Sequence, residues 1–108
     1  MIYEVKLIEK AKKDIKKLYK RYKKVKSDLL EVIDELEKNP FIGIHLTNSV
    51  YKIRMKNSSV NKGKSGGFRV IYYVIIDDKE VLILKVFSKS DLENITNEEI
   101  INILKEID

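Results

Sequence analysis

The spacing of apolar residues changes within the N-terminal part of the chain. Residues 2–8 alternate, with Tyr3, Val5 and Leu7 on one side and charged residues on the other, which predicts a strand with one solvent-exposed face. From Ile8 to Leu36 the apolar residues recur instead every three or four positions. That spacing places them in one stripe and predicts helix.

This helical stretch is too long to form a single helix in a small domain. One helix over residues 9–38 would measure about 45 Å at ~1.5 Å per residue. We therefore expect a break near Lys24–Ser27 and an antiparallel helical pair, with Ser27 or Asp28 capping the second helix through its side-chain oxygen. A coiled coil between two chains is the alternative interpretation.

The remainder of the chain predicts three more strands and a C-terminal helical region. Asn39-Pro40 ends the second helix, because the residue before a proline is pushed out of the helical conformation. We expect a loop over 41–49 and a polar loop over 57–67. The predicted strands are residues 50–56, 68–76 and 81–87, followed by capping boxes at 90–93 and 96–99 and a helical stripe of Ile100, Ile103, Leu104 and Ile107.

The predicted fold class is α+β, with the element order β-α-α-β-β-β-α in one domain over residues 1–108. We expect a small, antiparallel-rich, four-stranded sheet with the helical pair on one face. The nearly continuous apolar strand at 68–76 indicates a central strand that is covered on both sides. Because side chains alternate along a strand, we expect Lys52, Arg54 and Arg69 to be exposed on the face opposite the helical pair.

Composition excludes several classes of protein. The chain has no cysteine and a single histidine, which excludes disulfide scaffolds, thiol catalysis and zinc–thiolate sites. We expect neither a metal site nor a small-molecule cofactor, and we expect a structural or solvated role for His45. No apolar run is long enough to cross a membrane, and the N-terminus does not resemble a secretory signal. We therefore expect a cytoplasmic protein without a membrane partner.

The distribution of charge points to a polyanionic partner. The net charge of the 108 residues is +5, and no carboxylate occurs between Lys38 and Ile76. A solvated surface without a binding role normally mixes both signs, whereas a block of one sign raises the local concentration of oppositely charged partners. The acid-free block therefore favours a partner rich in phosphate groups.

Basic and aromatic residues in and after this block form a predicted RNA-binding face. Lys52, Arg54 and Lys56 share one side of a strand, and Arg69 interrupts an otherwise apolar strand. Cations interleaved with aromatic rings are typical of proteins that bind single-stranded RNA. The further candidates on loops and strands are Lys62, Lys64, Tyr73, Lys85, Phe87 and Lys89.

The segments GKSGGFRVIYYV and VLILKVFSKSDLENITNEEI resemble the RelE/ParE toxin superfamily, and most closely its HigB-like branch. That branch shows a basic-x-Gly-Gly-aromatic-Arg-Val-Ile-Tyr-Tyr segment. The resemblance implies a toxin of a type II toxin–antitoxin pair, neutralised by a cognate antitoxin. It also implies an mRNA endonuclease that acts on the ribosome without a metal.

The resemblance also assigns roles to individual residues. Arg69 takes the place of the family's catalytic arginine, Lys52, Arg54 and Lys56 that of its basic strand residues, and Lys89 the basic position after the last strand. The catalytic residues predicted on this basis are Arg69, Arg54, Lys52 and Lys89. Phe87-Ser88 departs from a Tyr-Ala pair that is common in the family, so a ring remains available for stacking while the hydroxyl is lost. A mechanism that depends on a tyrosine is therefore not supported here.

Two other functions remain open at the level of sequence. A ParE-like toxin would inhibit DNA gyrase by binding the protein, and a non-catalytic module would bind RNA or the ribosome without cutting. The acid-free basic block favours cleavage of RNA over inhibition of a protein, because clustered cations bind the phosphate groups of a nucleic acid.

Overall fold

The computed structural model describes residues 2–60, 67–89 and 95–107, and these residues form an α+β fold with three helices and five strands. The class agrees with the sequence prediction. In chain order the elements are β1 (Glu4–Leu7), α1 (Glu9–Arg21), α2 (Val25–Lys38), β2 (Ile44–Thr47), β3 (Val50–Met55), β4 (Phe68–Ile75), β5 (Glu80–Ser88) and α3 (Asn97–Ile107).

The five strands form one sheet in the order β1-β5-β4-β3-β2. Only β1 and β5 pair in parallel, and the other neighbours are antiparallel, so the antiparallel-rich sheet is confirmed. The prediction of four strands was wrong, because β2 lies inside the expected loop 41–49. Ile44 and His45 are both exposed, so no buried face marks this short strand in the sequence. Asn48, with φ of 49°, makes the turn into β3.

The two faces of the sheet are covered by different helices. On one face, here called the helix-pair face, residues from α1 and α2 form a core with β3, β4 and β5. On the opposite face, here called the α3 face, Ile100 and Ile103 pack with residues of the same strands. The strand residues on the helix-pair face include Met55, Phe68, Val70, Tyr72, Val74, Val81, Ile83 and Val86, and those on the α3 face include Val50, Ile71, Leu84 and Phe87. Strand β4 is therefore covered on both sides, as predicted.

A bulge in β5 places its last residues on the α3 face. Ile71 pairs with Lys85 whereas the next residue, Tyr72, pairs with Ile83, so Leu84 is the extra residue. Beyond the bulge Phe87 lies opposite Arg69. Because partners across an antiparallel pair share a face, Lys85, Phe87 and Arg69 lie on one side of the sheet.

The break between the two helices is confirmed, but its cap is not. Helix α1 ends at Arg21 and α2 begins at Val25, which leaves no continuous helix for a coiled coil. The residue before α2 is Lys24, which makes no capping bond through its side chain. Ser27 Oγ instead donates to the Lys24 carbonyl, and Asp28 accepts from Ser58. Both predicted caps lie inside the helix, because it begins earlier than the sequence indicated.

The start of α3 confirms half of the second predicted capping box. Glu99 donates its backbone N–H to Thr96 Oγ1 at 3.1 Å, as the pattern requires. The carboxylate of Glu99 does not return to the helix start; it bonds the Lys85 ammonium. The first box, at 90–93, lies outside the described residues. None of the described helices has the length and apolarity needed to cross a membrane.

Asp14 of α1 satisfies a donor on an open edge of the sheet. Strand β1 pairs with β5 only as far as Ile83, and beyond that point Asp14 Oδ2 accepts the Val86 N–H at 3.0 Å. Burial raises the pKa of Asp14, against the opposing effects of the Val86 bond and of the Lys10, Lys17 and Lys85 charges. The ionised carboxylate is therefore less favourable in the folded state than in the unfolded chain.

This gives a pH-dependent prediction for Asp14→Asn. Because the folded-state pKa is raised, the stability linked to Asp14 is present when the carboxyl is protonated and is lost as pH rises through that pKa. The asparagine oxygen can still accept from Val86 without a charge. We expect the melting temperature of Asp14→Asn to equal or exceed that of the wild type at neutral pH. The difference should disappear near pH ~3, where Asp14 is mostly protonated.

The matched control is Asp34→Asn, because Asp34 is exposed on α2 and pairs with Lys38. This substitution should leave the melting temperature nearly unchanged at neutral pH. A larger destabilisation of Asp14→Asn at neutral pH than at acid pH would show that the charge of Asp14 is stabilising and would contradict the prediction.

Candidate functional site

An open cavity of about 590 Å³ lies where β3 continues beyond its partner β2. Strand β2 pairs with β3 only from Val50 to Lys52, so residues 53–55 form an open strand edge on that side. The residues that line the cavity come from α2, from β2 and the segment before it, and from β3 and β4; they are Glu35, Ile42, Gly43, Ile44, Lys52, Ile53, Arg54 and Arg69.

Three of the four predicted catalytic residues meet in this cavity. Arg54 and Arg69 are direct partners in the β3–β4 register, and Lys52 is two residues from Arg54 on the same side of β3. Arg54 is exposed and Lys52 is half-buried. The prediction that Lys52, Arg54 and Arg69 lie close together is therefore confirmed, although they come from two strands, whereas Lys56 and Lys89 do not line the cavity. The catalytic roles of these residues stay a prediction.

The expected exposure of Arg69 was wrong, because only 6% of this residue is accessible. Arg69 lies on the central strand β4, between Arg54 on β3 and Phe87 on β5. Its Nη1 donates to the Phe68 carbonyl at 3.2 Å. Burial, and after it the neighbouring charge of Arg54, lowers the pKa of Arg69. An anion bound beside the two guanidinium groups would offset their mutual repulsion.

Gly43 allows one wall of the cavity to approach the sheet closely. A Cβ atom at this position would lie 2.6 Å from the Lys52 carbonyl oxygen and 2.6 Å from Tyr72 Oη. The Gly43 N–H donates to Tyr72 Oη at 3.0 Å. Burial raises the pKa of Tyr72 to about 12, so the hydroxyl stays protonated at neutral pH. Gly43 was not among the predicted site residues, because the sequence marks it only as a glycine between two isoleucines.

The close approach of β3 to the start of β4 explains why a glycine, Gly67, precedes Phe68 and Arg69. A Cβ atom on Gly67 would lie 2.3 Å from the Met55 carbonyl oxygen, a distance that no side chain tolerates. Glycine thus lets the β3 and β4 backbones come together where Met55 pairs with Phe68. This pairing in turn sets Arg69 opposite Arg54.

Lys56 does not line the cavity with the other two cations of its strand. Its Nζ lies 2.9 Å from Glu31 Oε2 on α2, and the hydrogen bond and charge of Glu31 raise the pKa of Lys56. Strand β3 ends at Met55, so the alternation that placed Lys56 with Lys52 and Arg54 stops one residue earlier.

Helix α3 covers three of the residues that were predicted to bind RNA. Lys85 contacts Glu99 of α3, and only 13% of the Lys85 side chain is accessible. Phe87 is buried at 6% exposure and Tyr73 packs against the same core. None of these three lines the cavity. Their contact with RNA stays a prediction, and the Phe87 ring is not accessible for stacking in this arrangement.

The other predicted residues do not line the cavity or lie outside the described residues. Lys89 is exposed and donates its backbone N–H to the Gly67 carbonyl at 3.2 Å, close to the start of β4. Lys62 and Lys64 lie outside the described residues. His45 has its Nε2 2.5 Å from the Asn48 carbonyl oxygen and its ring 5.2 Å from that of Tyr51, in keeping with a structural role in the β2–β3 turn.

Within residues 2–60, 67–89 and 95–107, no group of three or more His, Cys, Asp or Glu side chains is arranged to hold a metal ion. The carboxylate in the cavity is Glu35, which the sequence analysis did not select. It is distant in sequence from the basic strand, and only the packing of α2 beside β3 brings it there.

The same architecture occurs in solved toxins. The chain is similar to the free state of a mutant of the Escherichia coli toxin RelE, with 23% identity, a TM-score of 0.66 and 99% of each chain covered. It is also similar to the archaeal RelE–RelB complex from Pyrococcus horikoshii OT3, with 28% identity and a TM-score of 0.55, covering 82% of this chain and 97% of the other.

A third similar structure is the intact Escherichia coli RelBE toxin–antitoxin complex, with 25% identity and a TM-score of 0.61, covering 80% of this chain and 95% of the other. Residues 5–93 match the family model described as the ParE toxin of the type II toxin–antitoxin system parDE. That match spans most of the chain, including nearly all of β1, both helices of the pair and all residues that line the cavity. The chain therefore belongs to the ParE toxin family, within the RelE/ParE superfamily of type II toxins.

Proposed function

We propose that this protein is the toxin of a type II toxin–antitoxin pair and acts as an endoribonuclease that cuts mRNA on the ribosome. The observation that carries the proposal is the meeting of Lys52, Arg54 and Arg69 in one open cavity. Arg54 and Arg69 face each other across β3 and β4, and such a pair suits a phosphoryl group that gains charge during reaction.

The proposed reaction needs only groups that this chain and its substrate supply. The 2′-oxygen of one nucleotide attacks the adjacent phosphorus, the bond to the 5′-oxygen breaks, and a 2′,3′-cyclic phosphate and a 5′-hydroxyl result. Arg69 and Arg54 hold the phosphoryl oxygens through parallel donors. Lys52 and Lys89 carry the proton transfers, from the 2′-hydroxyl and to the departing 5′-oxygen.

The open shape of the cavity supports the ribosome as part of the system. The cavity borders an open strand edge, so the protein alone contacts a flexible RNA from few sides and does not fix its orientation. Ribosomal RNA and the paired tRNA fix the mRNA backbone, and such prior orientation can lower a barrier substantially. We therefore propose translating mRNA, and not free RNA, as the substrate.

We also propose a cognate antitoxin as the protein partner, and the cytoplasm as the place of action. Two of the similar structures, one from Escherichia coli and one from Pyrococcus horikoshii, are complexes of RelE with RelB. The +5 net charge and the acid-free block between Lys38 and Ile76 would attract an acidic partner over long range. We propose residues 1–108 as one RelE-like toxin domain without a cofactor.

The family model also favours a second candidate, a ParE-type toxin that inhibits DNA gyrase. Primer extension on mRNA from purified translating ribosomes separates the candidates. We expect new 5′ ends within the codon that occupies the A site. Intact mRNA together with loss of gyrase supercoiling activity would support the second candidate. Ribosome binding without cleavage or gyrase inhibition would indicate a non-catalytic module.

A further inference from the structure

The cavity contains an acidic residue that contact with phosphate does not use. Glu35 is exposed on α2 and lines the cavity with Arg54 and Arg69. Other carboxylates of α2 form ion pairs, Glu31 with Lys56 and Asp34 with Lys38. Among the ion pairs within the described residues, none includes Glu35. A carboxylate here repels phosphate, so its place in a basic cavity calls for a ligand group that donates hydrogen bonds.

The cavity also has apolar walls that remain accessible to solvent. Ile42 and Ile44 are 40% and 62% exposed, and Ile53 is half-buried beside them. Phosphate contacts would leave these side chains in water. A flat heteroaromatic ring would bury them, and the release of water from apolar surface favours that contact.

We propose that this cavity is a nucleobase subsite that takes a guanine adjoining the scissile phosphate. The inference rests on the proposed ribonuclease function and deepens it. The base lies against Ile42, Ile44 and Ile53, Glu35 accepts from its Watson–Crick edge, and the three cations hold the neighbouring phosphate. The volume of about 590 Å³ is within the ordinary range for small-ligand sites, ~300–1,000 Å³.

Hydrogen-bond chemistry selects guanine for this subsite. An ionised carboxylate only accepts hydrogen bonds and has two oxygens side by side. Guanine presents two adjacent donors, N1–H and the N2 amino group, so both oxygens are used. Adenine and cytosine present one amino donor beside a ring-nitrogen acceptor. The second carboxylate oxygen would then face another acceptor, which is unfavourable. Uracil presents a single N–H between two carbonyl acceptors and fits least well.

The test measures RNA binding separately from cleavage. The probes are fluorescent four-nucleotide RNAs with a 2′-deoxy sugar before the scissile phosphate, which removes the attacking hydroxyl, and with G, A, C or U in the tested position. Wild-type protein, Glu35→Gln and the control Glu37→Gln are titrated by anisotropy. Glu37 is two residues further along α2, does not line the cavity, and loses the same charge when substituted.

We expect the wild type to bind the guanine probe about tenfold more tightly than the uracil probe, in line with a two-bond contact to a base. Glu35→Gln should remove most of this difference, because an amide replaces one acceptor by a donor, whereas Glu37→Gln should retain it. The same change should appear in cleavage positions mapped on translating ribosomes.

Two results would overturn the subsite. The first is equal binding of all four probes by the wild type. The second is a guanine preference that survives in Glu35→Gln. On ribosomes this result would show as cleavage that falls equally at every codon, as loss of a general base would produce. Guanine-selective binding that depends on Glu35, without cleavage of ribosome-bound mRNA, would instead leave the subsite intact and refute the ribonuclease.

Discussion

Replacing Arg69 by alanine should abolish growth arrest and mRNA cleavage while the protein remains folded. Arg69 lies in the cavity beside Arg54, where its two parallel donors would hold the phosphoryl oxygens. Removing such a donor set costs about 2–4 kcal/mol of transition-state stabilisation, or about 10²–10³ in rate. Arg69→Lys should fail as well, because an ammonium cannot reproduce the planar pair of donors.

The fold should tolerate this change because the charge of Arg69 is not what stabilises the sheet. Burial and the charge of Arg54 lower the pKa of Arg69, so the charged form is disfavoured in the folded state. Its bond to the Phe68 carbonyl contributes on the order of 1 kcal/mol. Arg69→Met, which keeps the apolar part of the side chain, should also remain folded.

The measurements are growth after induction, cleavage on translating ribosomes, and thermal unfolding of the same variants. Arg21→Ala is the matched control, because Arg21 is exposed at the end of α1 and is not part of the cavity lining. It should retain full toxicity. A folded Arg69→Ala protein that still arrests growth and still cuts mRNA would refute the assignment of Arg69.

Replacing Asp28 by alanine should produce the largest loss of stability among the polar residues of α2. Asp28 is 2% exposed, and its carboxylate accepts from Ser58 N at 2.8 Å and from Ser58 Oγ at 2.5 Å. Ser59 Oγ accepts the Lys24 N–H nearby. These bonds fix the start of α2 to the residues that follow β3. Their loss leaves the Ser58 donors without this acceptor and should cost about 2–4 kcal/mol.

Denaturant unfolding of Asp28→Ala and Asp34→Ala checks this expectation. Asp34 is on the same helix, and its pair with Lys38 is exposed on both sides, so its removal should change stability by no more than about 0.5 kcal/mol. Equal free energies of unfolding for the two variants would show that the Asp28–Ser58 contact does not anchor the helix.

Sequence reasoning found the elements that carry strong periodicity. The stripe from Ile8 to Leu36 predicted the helical pair, and the apolar runs predicted β4 and β5. It missed β2, because Ile44 and His45 are both exposed and a strand without a buried face has no alternating pattern. The predicted caps of α2 were wrong because the helix begins at Val25, which places Ser27 and Asp28 inside it. Asp28 instead bonds a distant partner, Ser58, that no local rule reveals.

The residues of the candidate site likewise divide into those that the sequence predicts and those that only tertiary packing brings to the cavity. Lys52 and Arg54 follow from alternation within one strand, and Arg69 from a charge in an apolar strand. Glu35 and Gly43 belong to other parts of the chain and join the cavity only through tertiary packing. The burial of Lys85 and Phe87 could have been inferred, because the stripe of Ile100 and Ile103 needs an apolar surface and the helical pair already occupies one face of the sheet.

The identity of the RNA ends tests the ribonuclease most directly. Translating ribosomes carry mRNA with either a natural nucleotide or a 2′-deoxynucleotide at the mapped cleavage position, and the products are analysed by mass spectrometry. We predict a 2′,3′-cyclic phosphate and a 5′-hydroxyl from the natural mRNA, and no cut at the 2′-deoxy position. Cleavage that persists at the 2′-deoxy position, or products that carry a 5′-phosphate, would contradict attack by the 2′-hydroxyl.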